Sequence, residues 1–329
     1  MALLNRYGGI VGKPRLSEVL FDRSEHSFSS LASFESNVDA IDAGLRFAIG
    51  RLDYIAVVGP SGWGKTHLLD AIARRLRHSG VGEATEILSV CDDLNSLDTP
   101  SPVLLDDVQE VLARPRLRQT LTVALERRVR GGKPTALSFT LPKATRPLSA
   151  FLPSLRIWEI ATMGEPVGGE REKLLLQMAA REELAFSPAL SRILARHMHG
   201  DGRTLSGALK RLRLSGTQWL DAPSTLRAVG TLDPFFADNS AWDLKDRVFR
   251  AAETAHSRFG RVIAADLALY TLLHEANMNE IDVARAARIT PADAYQRTAR
   301  FRAQIASDPA AGAYVRQFID VVVEGLQQE

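Results

Sequence analysis

The chain of 329 residues carries one cysteine, Cys91. It can form no internal disulfide and no cysteine-based zinc site, and a reducing compartment, the cytoplasm, is the expected location. No stretch approaches the roughly 20 consecutive apolar residues of a membrane helix, and Ala2–Leu4 is too short an apolar opening for a secretory signal, so no membrane partner is expected. An excess of one charge is missing too. Lys+Arg 41 stand against Asp+Glu 39, so any polyanion must be held by a local cluster rather than by the field of the whole molecule. Solenoid-type repeats and low-complexity tracts are absent, and His197, His199, His256 and His274 show no metal-ligand spacing. What is present, 45% hydrophobic and 24% charged residues, excludes a disordered chain, and the length suits about two domains.

The order of patterns points to an α/β first half and an all-α second half. Val38, Ile41, Leu45 and Ala48 recur at helical spacing. Tyr54–Val58 is a β-type run that stops at a glycine-rich turn, after which Leu68, Leu69, Ile72 and Leu76 form a helical stripe. The alternation continues with strands at 86–90, 103–105 and 135–139, a helix at 116–130 and one more strand at 157–160. Strands alternating with helices predict a parallel sheet covered on both faces. After Gly164 the strand signals cease. Helices are expected at 171–182, after the Ser187-Pro188 start signal, and from Arg203 toward Arg213. The stretch 216–240, with Gly216, Pro223, Gly230 and Pro234, reads as a linker, and 241–329 as four or five further helices. The domain expectation is an extension over 1–27, an α/β nucleotide-binding domain over 28–164, a helical lid over 165–215, the linker, and a helical C-terminal domain.

Gly59, Pro60, Ser61, Gly62, Trp63, Gly64, Lys65 and Thr66, followed by His67, satisfy the phosphate-loop pattern G-x-x-x-x-G-K-[ST] between a strand and a helix. Glycines let the backbone wrap closely so that successive N–H groups face phosphate oxygens, and the positive end of the following helix adds to that field. Lys65 is placed to reach the β- and γ-phosphates of ATP, and Thr66 to hold Mg²⁺. About forty residues on, the apolar run Val103–Leu105 ends in Asp106 and Asp107. Carboxylates at the C-terminal end of a buried parallel strand lie beside such a loop. Asp106 is the candidate for Mg²⁺, and Asp107 for orienting or deprotonating the attacking water. Ser138 and Thr140 end the next strand, where a γ-phosphate sensor belongs.

Gly62–Leu69 and Leu104–Gln109 resemble the ATPase core of the AAA+ replication initiator DnaA and of its shortened relative Hda. Phe28–Leu31 and Glu35–Asn37 look like that family's lead-in, which implies Asn37 against adenine. Asp201–Leu209 is similar to its lid helix, which implies that Arg203 touches the nucleotide phosphates. Residues 1–27 leave no room for the initiators' N-terminal partner-binding domain, and 89–102 none for their extra helical insertion. Leu152–Trp158 resembles the segment bearing the intersubunit arginine, with Arg156 one place from that position.

In the last domain, 279–287 and 291–305 read as two helices joined at Arg288-Ile289-Thr290, a helix-turn-helix with the second helix as reader. Ala294, Thr298, Phe301 and Ile305 face a core in this reading, leaving Ala292, Asp293, Gln296, Arg297 and Arg300 outward. Arg285, Arg288, Gln296, Arg297 and Arg300 are the candidate DNA contacts, because a local excess of arginine suits phosphates. The order of helices again resembles DnaA, but Thr290–Ala294 replaces the Arg-Asp-His-Thr-Thr signature. A second basic stretch, 114–133, reads as a solvated helical face, with a DNA-facing or partner-facing surface as the alternative. The combined expectation is a weakly hydrolysing ATP/ADP switch with Mg²⁺ that contacts double-stranded DNA in replication initiation. It would have other replication proteins or an AAA+ partner, and nucleotide-dependent self-association. A helicase-loader or transposition-type ATPase, or a nucleotide-bound protein-interaction module, remains open on the same residues.

Overall fold

The structure is a computed structural model that describes residues 27–80, 87–89, 97–112, 114–140, 152–236, 242–255 and 261–328. The lead-in 1–26, Cys91, Pro142 and His256 lie outside the described residues. The chain divides into two compact units, Met1–Val167 and Gly168–Glu329.

The first unit is built on a parallel sheet of five strands in the order β2-β3-β4-β1-β5: β1 Tyr54–Val58, β2 Ile87–Ser89, β3 Val103–Asp106, β4 Thr135–Phe139 and β5 Glu159–Thr162. Helices α1 (Val38–Ala48), α2 (Lys65–His78), α3 (Gln109–Leu112) and α4 (Pro115–Arg130) connect and cover it. Because successive strand side chains point to opposite faces, β1 feeds two cores. Ile55 and Val57 pack with Leu68, Leu69 and Ile72 of α2 and Phe47 of α1, whereas Tyr54, Ala56 and Val58 join the cluster containing Leu121 and Leu125 of α4. That double burial explains why the strand is apolar at every position. The register Val57↔Ser138 and Leu105↔Leu137 aligns the C-terminal ends of β1, β3 and β4 along one edge of the sheet.

The strand expected at 157–160 begins two residues later. Ser154, in the left-handed region at φ 51°, starts a 3-10 turn over Leu155–Ile157, and buried Trp158 donates its indole N–H to Pro153 O at 2.9 Å. Only after this anchor does the chain pair with β1, Glu159 opposite Ile55.

The second unit holds α5 (Gly169–Arg181), α6 (Pro188–His197), α7 (Gly202–Ser215) and α8 (Ala222–Thr231), with a two-residue parallel pair, β6 (Ala185–Phe186) and β7 (Gln218–Trp219). It continues with α9 (Leu244–Ala255), α10 (Arg261–Tyr270, followed by a π-helical turn Thr271–Glu275), α11 (Glu280–Ala286), α12 (Pro291–Ser307) and α13 (Pro309–Gln328). The expected α6 start is present: Ser187 Oγ accepts from Leu190 N at 3.0 Å, ahead of Pro188.

The stretch read as a linker is instead structured as far as it is described. Asp221 caps α8, its carboxylate accepting from Ser224 N at 2.8 Å while Ser224 Oγ accepts from Asp221 N at 3.1 Å. Pro223 sits in the first turn, where its missing N–H costs nothing. Gly230 serves close packing, since a Cβ there would lie 2.0 Å from Ala276 O. The proline and glycine thus mark a helix start and a tight contact. Thr225, Leu226, Ala228 and Val229 are buried. Segments read separately as lid and C-terminal domain meet within this unit. Last helix α13 lies against α6 and α8, and His197 of α6 is buried with its ring Nε2 3.1 Å from Leu326 O. No described helix is long and apolar enough to cross a membrane.

Candidate functional site

Gly59–Gly64 leave the end of β1 and turn into α2. The reversal puts Gly62 at φ 76° and Gly64 at φ 97°, conformations that side-chain-bearing residues rarely adopt, which is why glycine stands at both. Pro60 and Ser61 form the exposed tip, and Trp63 is partly buried. Lys65, only 5% exposed, is the first residue of α2, and its Nζ donates to Gly59 O at 3.0 Å and Pro60 O at 2.7 Å. The amine therefore lies across the loop it is expected to serve.

Thr66, one residue on, donates its hydroxyl to Asp106 Oδ2 at 2.7 Å. This bond ties the loop to the end of β3 and brings together the two residues expected at Mg²⁺. The second oxygen of Asp106 accepts from Ser138 Oγ. Ser138 is fully buried on β4, and its hydroxyl also accepts from Asp107 N at 3.1 Å. Asp107 adopts a left-handed φ of 51°, which turns the chain after β3. Its Oδ1 accepts from Gln109 Nε2 at 2.9 Å, while Gln109 Oε1 accepts from Thr140 N at 2.9 Å. The structure thus brings Lys65, Thr66, Asp106 and Asp107 to one sheet edge. Of the two polar residues expected at the end of β4, Ser138 bonds the Asp106 carboxylate and Thr140 donates its backbone N–H to Gln109.

A hydroxyl beside a carboxylate at the loop is an oxygen donor set suited to a hard cation. Among the described residues no group of three or more His, Cys, Asp or Glu gathers to form a protein metal cage. The Thr66 hydroxyl and the Asp106 carboxylate are oxygen donors of the kind that fit Mg²⁺.

Asn37 does not project freely from its lead-in. Its Oδ1 accepts from Phe34 N at 2.9 Å and its Nδ2 donates to Ala32 O at 2.8 Å, so the amide clamps the turn before α1. His67 Nε2 lies 2.6 Å from Ser30 Oγ, joining that lead-in to α2. Arg156 is exposed on the 3-10 turn. Arg203 is exposed in the first turn of α7, in the second unit, with its backbone N–H on the capping carboxylate of Asp201 at 3.0 Å.

One residue of the basic stretch contradicts the solvated-face reading. Arg128 is 1% exposed and donates to Leu97 O, Thr99 O, Ser101 O, Pro134 O and Thr135 Oγ1, at 2.7–2.9 Å. It staples the segment entering β3 to the start of β4, the two strands that deliver Asp106 and Ser138. A signal was available, because Leu121, Leu125 and Arg128 share one helical stripe. The adjacent Arg127 and Arg130 are exposed, as expected.

In the region read as a helix-turn-helix, α11 and α12 form where expected, joined through Arg288 at φ 56°. Thr290 caps α12 by accepting from Asp293 N at 3.1 Å, and its hydroxyl donates to Asp293 Oδ2 at 2.6 Å, so that carboxylate is turned back onto the cap. Ala294, Thr298 and Phe301 are buried. Arg285, Arg288, Gln296 and Arg300 are exposed. Arg297 departs from the expectation of a free outward cation: its Nε donates to Asp266 Oδ1 of α10 at 2.6 Å. Tyr295, passed over in the sequence, is 67% exposed on the same helix.

No protein-family model matches the sequence, and no curated protein matches it. Solved structures do. Domain III of DnaA from Thermotoga maritima matches with a TM-score of 0.52 at 18% identity, over 64% of this chain and 97% of that one. AMPPCP-bound DnaA from Aquifex aeolicus matches with a TM-score of 0.52 at 16% identity, over 91% and 99%. DnaA bound to AMPPCP and single-stranded DNA matches with a TM-score of 0.51 at 15% identity, over 92% and 99%. The longer matches take in the α/β unit and most of the helical unit alike, and what they establish is the architecture: the chain has a DnaA-like AAA+ fold.

Proposed function

We propose that the protein is a nucleotide switch that binds ATP or ADP with Mg²⁺ at the loop after β1, hydrolyses ATP slowly, and contacts double-stranded DNA through α11 and α12. The observation that carries the nucleotide half is the bond from Thr66 to Asp106, flanked by Lys65 and Asp107. In this reading the loop N–H groups and the N-terminal end of α2 hold the phosphates, and Lys65 turns its amine from the loop carbonyls to the β- and γ-phosphates. Thr66 and Asp106 hold Mg²⁺, which supplies charge neutralisation at the phosphate oxygens. Asp107 orients the attacking water and accepts its proton. Asn37 shapes the adenine side through the turn it clamps.

The DNA half rests on exposed Arg285, Arg288, Gln296 and Arg300. A role in replication initiation, with partners among replication proteins and with Arg156 at a subunit contact, follows from likeness to initiators that include one bound to single-stranded DNA. One observation favours a protein-docking use of the same helices. Arg297 and Arg285 already face carboxylates, Asp266 and Asp282, which lowers the free positive charge.

Calorimetric titration with Mg²⁺-ATP and Mg²⁺-ADP tests the site: Lys65→Ala should abolish binding, and retained affinity would refute the assignment. Duplex binding should weaken steeply with salt and on joint Arg288→Ala/Arg300→Ala substitution. Indifference to both would leave protein docking as the use of this module.

A further inference from the structure

The phosphate loop and the aspartate pair account for binding and for the water-activating carboxylate, but not for the side chain that fixes where that carboxylate points. Gln109 has no role in the reading above, yet its side chain is used at both ends. It donates to Asp107 Oδ1 at 2.9 Å and accepts from Thr140 N at 2.9 Å. The amide of Gln109 does both at once through different atoms, its nitrogen donating to the carboxylate and its oxygen accepting from the backbone N–H. Asp107 itself sits at a φ of 51°, a conformation that persists only where several contacts determine it. Those contacts are Ser138 Oγ on its backbone N–H and Gln109 on its carboxylate.

The two carboxylates are thereby held apart in role. Ser138 and Thr66 occupy Asp106 on both oxygens, whereas Gln109 engages Oδ1 of Asp107. We infer that Gln109 is the positioning residue for hydrolysis: it fixes the rotamer of Asp107 and links it to the end of β4 at Thr140, so that the strand ending beside the phosphates sets the aim of the water-activating group. The inference rests on the nucleotide-site reading above.

The test is single-turnover ATP hydrolysis and ATP affinity measured on the full chain, for the wild type, Gln109→Leu, Gln109→Glu, Asp107→Ala and Lys65→Ala. Gln109→Leu should keep ATP affinity within about twofold while hydrolysis falls by about 10- to 100-fold, the usual cost of losing a group that orients a reacting residue. Gln109→Glu has nearly the same shape but can donate to Asp107 only when protonated. Its rate should therefore fall as far as that of Gln109→Leu while ATP affinity is kept, a loss at nearly constant shape that a merely structural role would not produce.

A Gln109→Leu protein hydrolysing at the wild-type rate would overturn the inference, and so would a Gln109→Glu protein hydrolysing at the wild-type rate. Wild type that binds ATP yet hydrolyses no faster than Asp107→Ala would also overturn it, while leaving the nucleotide site standing. Lys65→Ala with undiminished ATP affinity would instead sink the site itself.

Discussion

Replacing Arg128 with methionine should lower the stability of the first unit by about 3–4 kcal/mol, a value that follows from what the guanidinium touches. Its five hydrogen bonds run to four carbonyls and one hydroxyl in a place where the side chain is 1% exposed. At about 1 kcal/mol net for each bond the loss is about 5 kcal/mol. Release of the desolvation cost carried by a buried charge works in the other direction and removes roughly 1–2 kcal/mol of that. For a unit of this size, about 2–4 °C per kcal/mol gives a fall of roughly 6–16 °C in its unfolding transition. Arg128→Lys should recover little, since an ammonium cannot reproduce the planar fork. The control is Arg127→Met on the same turn, exposed and expected to change stability by no more than about 0.5 kcal/mol. Thermal unfolding of the full chain by differential scanning calorimetry reads all three. If Arg128→Met melted together with Arg127→Met, the keystone role of this side chain would be refuted.

In the second unit, Gly230→Ala places a methyl 2.0 Å from the Ala276 carbonyl oxygen, so backbone must move; a loss of about 2–4 kcal/mol is expected in chemical denaturation. A change below about 0.5 kcal/mol would show that α8 and the π-helical turn are not in contact as described. Asp221 caps α8, and its bonds from the Ser224 side chain and backbone N–H hold its carboxyl below the ordinary 3.8. A depressed folded value means stability that is present above 3.8 and lost as pH falls through the depressed one. Asp221→Ala should cost about 1 kcal/mol at pH 7, and the gap between the two proteins should close in acid. A gap that persists unchanged to the acid limit would argue against the carboxylate as the cap.

The turn between β1 and α2 was legible because its geometry is local: a strand end, glycines at forced dihedrals and a lysine opening a helix are neighbours in sequence. Helix starts at Ser187 and Thr290 were legible for the same reason, each cap acting within three residues. The α/β alternation likewise followed from strands buried on both faces. The roles of Ser138, Gln109 and Arg128 were not legible, since each acts on a partner about thirty residues away across the sheet. Pro223 and Gly230 misled as linker signals, because a proline that opens a helix and a glycine that admits a neighbouring backbone look alike in sequence.

Short-range sterics and hydrophobic periodicity were enough to fix which residue types form the loop after β1 and how the strands and helices alternate. Contacts across the fold settled which hydroxyl meets Asp106, which amide bonds Asp107, which arginine is buried and which arginine of α12 is held by Asp266. Those choices depend on strand order and helix packing, which set distances between segments that no local pattern encodes.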